Sequence, residues 1–139
     1  MIVAADSVIT SLSGILNVGK VSVLNDTTDH RECTQRLKKA PEVAEDLRLE
    51  SSMVCAIGSD PKKIADTCDL DSGSPLACTS QGGAPNVYTL VGVSSWGLPC
   101  GTNDNALTAQ QQPLPSVYAG IRKSMGWLQE TISNSTMTA

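Results

Sequence analysis

Residues 18–24, VGKVSVL, set valines against a lysine and a serine in their second half. A period of two is that of a strand with one buried face, and the Asn25-Asp26-Thr27-Thr28 run that follows is a turn signal. Asp29 is placed to cap a short helix over residues 31–38. The Ala40-Pro41 pair ends it, because the residue before a proline is driven out of the helical region. Residues 52–57 are apolar enough for a strand, and residues 76–79 and 86–95 are rich in Val, Tyr and Thr, which suit a pleated surface. The turn residues Gln81-Gly82-Gly83-Ala84-Pro85 between those two segments predict a hairpin. A brief strand over 117–119 follows. From Gly120 onward Ile121, Met125, Leu128 and Ile132 recur at helical spacing, predicting an amphipathic terminal helix whose apolar side is packed, with a polar tail at 134–139. Residues 64–74, rich in Asp, Ser and Gly, and the polar stretch 101–112 read as loops. Short strands separated by turns and closed by one helix predict an all-β chain, a small antiparallel β-barrel with a C-terminal α-helix.

Composition narrows the class of partner. With 139 residues, 40% of them hydrophobic and 17% charged, the chain suits one globular domain. Ten basic against fourteen acidic side chains give a net charge of −4. No basic run exceeds the Lys62-Lys63 pair, so no nucleic-acid partner is expected. No apolar stretch is long enough to span a bilayer, so no membrane partner is expected either. The opening MIVAADSVIT lacks a basic leader and is interrupted by Asp6, so no signal peptide is visible.

The five cysteines, Cys33, Cys55, Cys68, Cys78 and Cys100, lack the paired CxxC spacing of a zinc site, and disulfides are the better reading. No metal or cofactor is expected. Two glycosylation triplets, Asn25-Asp26-Thr27 and Asn134-Ser135-Thr136, also fit an extracellular chain. An odd cysteine count leaves one thiol whose partner is expected outside the chain.

The densest chemistry lies in residues 67–78, TCDLDSGSPLAC, which pack an acid, a hydroxyl, a turn glycine and a proline between two cysteines. A serine hydroxyl is a poor nucleophile at its free pKa. Catalysis needs it on a tight turn, with backbone N–H groups aimed at the developing oxyanion and a base to take its proton. This segment could supply the turn and the donors.

Three segments in order, DTCDLDSGSPLAC, SSWGLPC and PSVYAGIRKSMGWLQETI, resemble the nucleophile loop, the substrate-binding strand and the last strand and helix of the trypsin/chymotrypsin-like serine proteases. MVCAIG, with Cys33 upstream, is similar to a further disulfide loop of that family. The resemblance implies the second barrel of the double-barrel fold over residues 18–133, with residues 1–17 poorly matched and 134–139 a tail. It implies a serine endopeptidase acting on protein or peptide substrates, secreted, with Ser72 as nucleophile and the backbone N–H groups of Leu70 and Ser72 as oxyanion hole. Asp71 would be the acid that pairs with a new N-terminus on activation. Asp66 would sit at the base of a pocket preferring Arg or Lys, with Ser95, Trp96, Gly97 and Ser116 lining the substrate site. Implied disulfides are Cys33–Cys55 and Cys68–Cys100, which leaves Cys78 to a partner in the missing N-terminal barrel.

The departures from the family point the other way. No segment resembles the family's histidine or aspartate motif, and His30, the only histidine, reads as a surface residue. Leu70 and Ser74 stand where the family has glycines, Ser116 stands where an open pocket has glycine, and the loop at 101–112 is longer than the common form. The isolated chain is therefore expected to be inactive. The rival expectation is a non-catalytic protease homologue acting as a binding or regulatory module.

Overall fold

The computed structural model describes residues 2–3, 18–25, 29–59, 67, 71–79, 87–98 and 113–136. Among the described residues six strands form a closed antiparallel barrel: β1 (Ile2–Val3), β2 (Gly19–Val23), β3 (Met53–Gly58), β4 (Pro75–Thr79), β5 (Tyr88–Trp96) and β6 (Ser116–Gly120). Their order round the ring is β1-β2-β3-β6-β5-β4. One helix, α1 (Arg31–Leu37), lies between β2 and β3, and a 3-10 turn (Ile121–Ser124) leads from β6 into α2 (Met125–Thr136). This is the all-β barrel with a terminal helix that the patterning predicts, and the expected hairpin is the β4–β5 pair.

β1 was not expected. Two residues long, it pairs Ile2 with Lys20 of β2 and with Ala77 of β4, so it closes the ring. A two-residue strand is too short to show a period of two, and its identity comes only from the edges it joins.

The pleat sorts the side chains into two cores. Val21, Ala56, Leu76 and Tyr118 form one cluster, with Val23, Val54 and Val91 packed on it. Leu24, Cys33, Leu37, Cys55 and Val117 form a second, joined by Met53 and Ile57. Adjacent residues on β3 and β6 therefore fall in different cores, Cys55 beside Ala56 and Val117 beside Tyr118, as successive side chains on a strand must. β3 and β6 are buried on both faces, inside the barrel and beneath α1. Gly92 on β5 permits a tight interior contact, since a Cβ there would lie 3.1 Å from the Tyr118 Cβ and 3.3 Å from the Ala119 carbonyl.

Helix α1 is short for an independent helix and is held by its neighbours. The Asp29 carboxylate accepts the Arg31 N–H at 3.2 Å, so the expected acid does stabilise the helix start, one residue before the boundary residue His30. The helix ends at Leu37, and Lys39 and Ala40 donate to Arg36 and Leu37 in tightened turns ahead of Pro41. Cys33 and Cys55 form a disulfide that staples α1 to β3. Arg36 makes a second tie, bonding Glu32 at 2.6 Å on its own helix and the Pro113 carbonyl at 3.4 Å, just ahead of β6.

The terminal helix departs from expectation. It runs on through Thr136, taking in part of the predicted tail, and its apolar side is only partly covered, with Ile121 and Leu128 half-buried. Met125 is exposed, Ile132 is 63% exposed and Trp127 66% exposed. Helical periodicity identifies an apolar stripe; it does not supply the surface that buries it.

Removing the α1–β3 staple in the Cys33→Ala/Cys55→Ala double variant is expected to cost about 2–5 kcal/mol of stability. Denaturant unfolding of the two chains checks this, and equal midpoints with equal slopes would show that helix packing alone holds α1.

Candidate functional site

The loop before β4 ends in a turn in which the Ser74 N–H donates to the Asp71 carbonyl at 2.9 Å. Gly73 has φ +91° and Ser72 lies outside the left-handed region, the combination that a type II turn requires. Only glycine adopts that backbone without strain, which explains Gly73 in the Ser72-Gly73 pair. The turn is tied to β5 in both directions: the Gly73 N–H donates to the Ser94 carbonyl at 3.0 Å, and the Ser94 N–H donates to the Ser74 carbonyl at 2.8 Å. Ser72 is thereby exposed at the tip of a turn that is fixed at its base.

β5 supplies the opposite wall. Ser94 pairs with Tyr118 of β6 while Trp96 pairs with Val117, so the register shifts and Ser95 is the extra residue of a bulge. Such a bulge re-aims the side chains around it. Between wall and turn lies a cavity of about 180 Å³ lined by Thr67, Ser72 and residues 94–98. Beneath it the Thr67 N–H donates to the Ser116 Oγ at 3.4 Å, and Ser116 is 3% exposed. A Cβ on Gly97 would lie 3.7 Å from both the Ser116 and the Thr67 hydroxyl oxygens, so both hydroxyls lie next to Gly97. The walls that are described carry hydroxyl groups and no charge.

The structure thus brings Ser72, Ser95, Trp96 and Gly97 to one cavity and puts Ser116 below it. Asp71, half-buried, begins the turn. Asp66, Leu70, Cys68 and Cys100 lie outside the described residues, and with them the expected pocket acid, one expected oxyanion donor and the expected second disulfide. Thr67 and Ser94 were not singled out from sequence. Their signal was available, because a hydroxyl at 94 interrupts the run of valines on β5 and Thr67 adjoins Asp66.

His30 corrects an expectation. It reads as a surface residue, but the imidazole is only 2% exposed, because its left-handed backbone, φ 49°, turns the ring inward at the start of α1. Neither ring nitrogen has a hydrogen-bond partner among the described residues, so no bond links it to Ser72. Cys78 is a free, half-buried thiol on β4, and loss of hydration pushes its pKa above the ordinary thiol value.

Known proteins resemble this chain over much of its length. The trypsin family model matches residues 10–128. The chain is 39% identical over 85 residues to the inactive CLIP domain-containing serine protease A8 of Anopheles gambiae, a match covering 61% of this chain and 19% of that protein. It is 31% identical over 105 residues to the inactive CLIP domain-containing serine protease A28 of the same organism, covering 76% of this chain and 24% of that protein. It is 35% identical over 86 residues to the tissue-type plasminogen activator of Sus scrofa, covering 59% of this chain and 13% of that protein. The chain therefore spans a quarter or less of each of these relatives.

The environment of Cys78 sets its reactivity. Because burial raises its pKa, the thiolate, which is the reacting form, is scarce at neutral pH. Alkylation of the native chain by iodoacetamide is expected to be slower at neutral pH than that of an unstructured thiol, and to reach the thiolate rate only at higher pH. A mass-spectrometric time course over a pH series checks this, and a rate equal to the free thiol's at neutral pH would contradict it.

Proposed function

The chain belongs to the trypsin family of serine proteases, and from that premise we propose that it carries the nucleophile half of a peptidase site, with Ser72 as the attacking residue. The observation that carries this reading is the exposed Ser72 on a turn bonded from both sides to β5, opening on the cavity beside residues 95–97. In the proposed reaction the Ser72 Oγ attacks a peptide carbonyl while a base takes its proton, and the backbone N–H groups of Leu70 and Ser72 stabilise the oxyanion. The acyl-enzyme is then released by water. Ser95, Trp96 and Gly97 would hold the substrate backbone. Asp66 would select Arg or Lys, and Ser116, whose hydroxyl reaches Thr67 beneath the cavity, would shorten the slot above it. Asp71 would pair with a new N-terminus on activation.

The base has to come from outside these 139 residues. His30 is the only histidine, and it is buried with no bond to Ser72. A serine–histidine pair works as a unit, and losing one member costs about a millionfold in the subtilisin case. The partner proposed is a first barrel supplying the histidine and aspartate, reached through Cys78 or the same precursor. The Cys33–Cys55 disulfide supports an extracellular site of action, since such bridges persist in oxidising compartments. Among the described residues no helix is long and apolar enough to cross a membrane.

A non-catalytic role is the second reading. It is favoured by two similar proteins being named inactive proteases, and by Leu70 where the resemblance expects the glycine of the oxyanion turn. In that case the same cavity would hold a peptide without cleaving it.

The purified chain is expected to show no labelling of Ser72 by a fluorophosphonate and no hydrolysis of peptide esters, because nothing deprotonates the hydroxyl. Labelling that disappears in Ser72→Ala would overturn this, and would show that a base lies within the chain.

A further inference from the structure

The segment between α1 and β3 carries an exposed basic side chain, Arg48, that the peptidase reading does not use. It lies inside the loop closed by the Cys33–Cys55 disulfide, whose cysteines are 22 residues apart. Within it Leu47 and Leu49 are half-buried and pack against the second core, while Arg48 and Glu50 are exposed. That alternation is the pattern of an extended strand with one face held down. No ladder accompanies it. Among the described residues neither Arg48 nor Leu49 makes a backbone hydrogen bond, and Arg48 makes no ion pair.

These are the properties that a peptidase requires of a substrate. An extended peptide bound as an added strand needs N–H and C=O groups that are free to pair. Susceptibility to cutting therefore follows from the burial and hydrogen bonding of the backbone, and an exposed side chain alone is not enough. The other described basic residues fail on that count. Lys20 lies on β2, Arg31 and Arg36 on α1, and Arg122 and Lys123 on the 3-10 turn. The N–H groups of Lys38, Lys39 and Ala40 donate to the carbonyls of Thr34, Arg36 and Leu37, and Ala40 is buried. Lys62 and Lys63 lie outside the described residues.

We propose that the Arg48–Leu49 bond is a site of limited proteolysis by a serine peptidase that selects arginine, and that the cut loosens the cavity wall at Trp96. A carboxylate in the cutting enzyme's pocket pairs with the Arg48 guanidinium. The enzyme's serine oxygen attacks the Arg48 carbonyl carbon, the carbon–nitrogen bond to Leu49 breaks, and the Leu49 nitrogen takes a proton from the enzyme's base and leaves as an amine. Water then releases Arg48 as a carboxylate, with no change of oxidation state. The product is two chains that stay together. One carries β2, α1 and Cys33, the other β3 to β6 and Cys55, and the disulfide and the β2–β3 ladder join them. Coupling to the cavity comes from shared packing, because Leu47, Leu49, Trp96 and Leu98 all lie against the same core cluster. Severing the chain between Leu47 and Leu49 unfastens two of those four. The inference needs no activity from Ser72, so its failure leaves the peptidase reading standing.

The test is brief digestion of the oxidised full chain with trypsin at a catalytic ratio, followed by mass spectrometry and by gels run with and without reductant. The expected first product is a single unreduced band that reduction separates into residues 1–48 and 49–139. Arg48→Gln should remove that product, and Arg48→Lys, which keeps a basic side chain, should retain it. A first cut at any other bond, those after Lys62 and Lys63 included, or a chain that resists cutting, overturns the site. In Trp127→Phe, where Trp96 is the remaining tryptophan, emission should move to longer wavelength as the cut accumulates. The same treatment of Trp127→Phe/Arg48→Gln should leave emission unchanged. Emission that stays constant in Trp127→Phe while the bond is cut overturns the coupling to the cavity wall.

Discussion

Burial of β3 and β6 on both faces is the constraint from which the rest of the structure follows. A strand that sends Ala56 or Tyr118 inward must send Cys55 or Val117 outward, and those outward residues are as apolar as the inward ones. Left in water, an outer face of this kind would forfeit roughly 1.5–3 kcal/mol for each large side chain. Something has to cover it. That cover is α1, a helix of two turns with little stability of its own, fastened by Cys33 to Cys55 and by Arg36 to the carbonyl of Pro113.

The same arrangement positions the cavity. Arg36 holds the segment that becomes β6, and β6 begins at Ser116, directly below Gly97. β5 lies between β6 and β4, so its bulge at Ser95 and its bonds to the Ser72 turn are referred to a frame set by the two-sided strands. The cavity is lined by residues whose backbone, rather than side-chain packing, is what the barrel holds rigid. That suits chemistry in which N–H groups and a hydroxyl must be aimed in advance, since donors already in place cost no reorganisation when charge develops.

Two surface features lie outside the barrel's own packing. Met125 and Trp127 present apolar surface to solvent, and Ser72 presents a hydroxyl in a chain whose single histidine is buried. The chain matches a quarter or less of the length of these relatives.

Sequence alone determined the elements whose signal is local. Alternating valines marked β2, turn residues marked the β4–β5 hairpin, helical spacing marked α2, and the run from Thr67 to Cys78 marked the serine turn, because backbone geometry and turn chemistry act over a few residues. The family resemblance added the Cys33–Cys55 pairing that the structure contains. Tertiary structure decided what depends on distant partners. Ile2 and Val3 became a strand only because β2 and β4 offered facing edges. His30 became buried only because the turn into α1 carried it inward. Met125 and Ile132 on the α2 stripe stayed exposed while Leu128 became half-buried, because periodicity states which side of a helix is apolar, whereas burial requires a second surface, which is a property of the assembled chain.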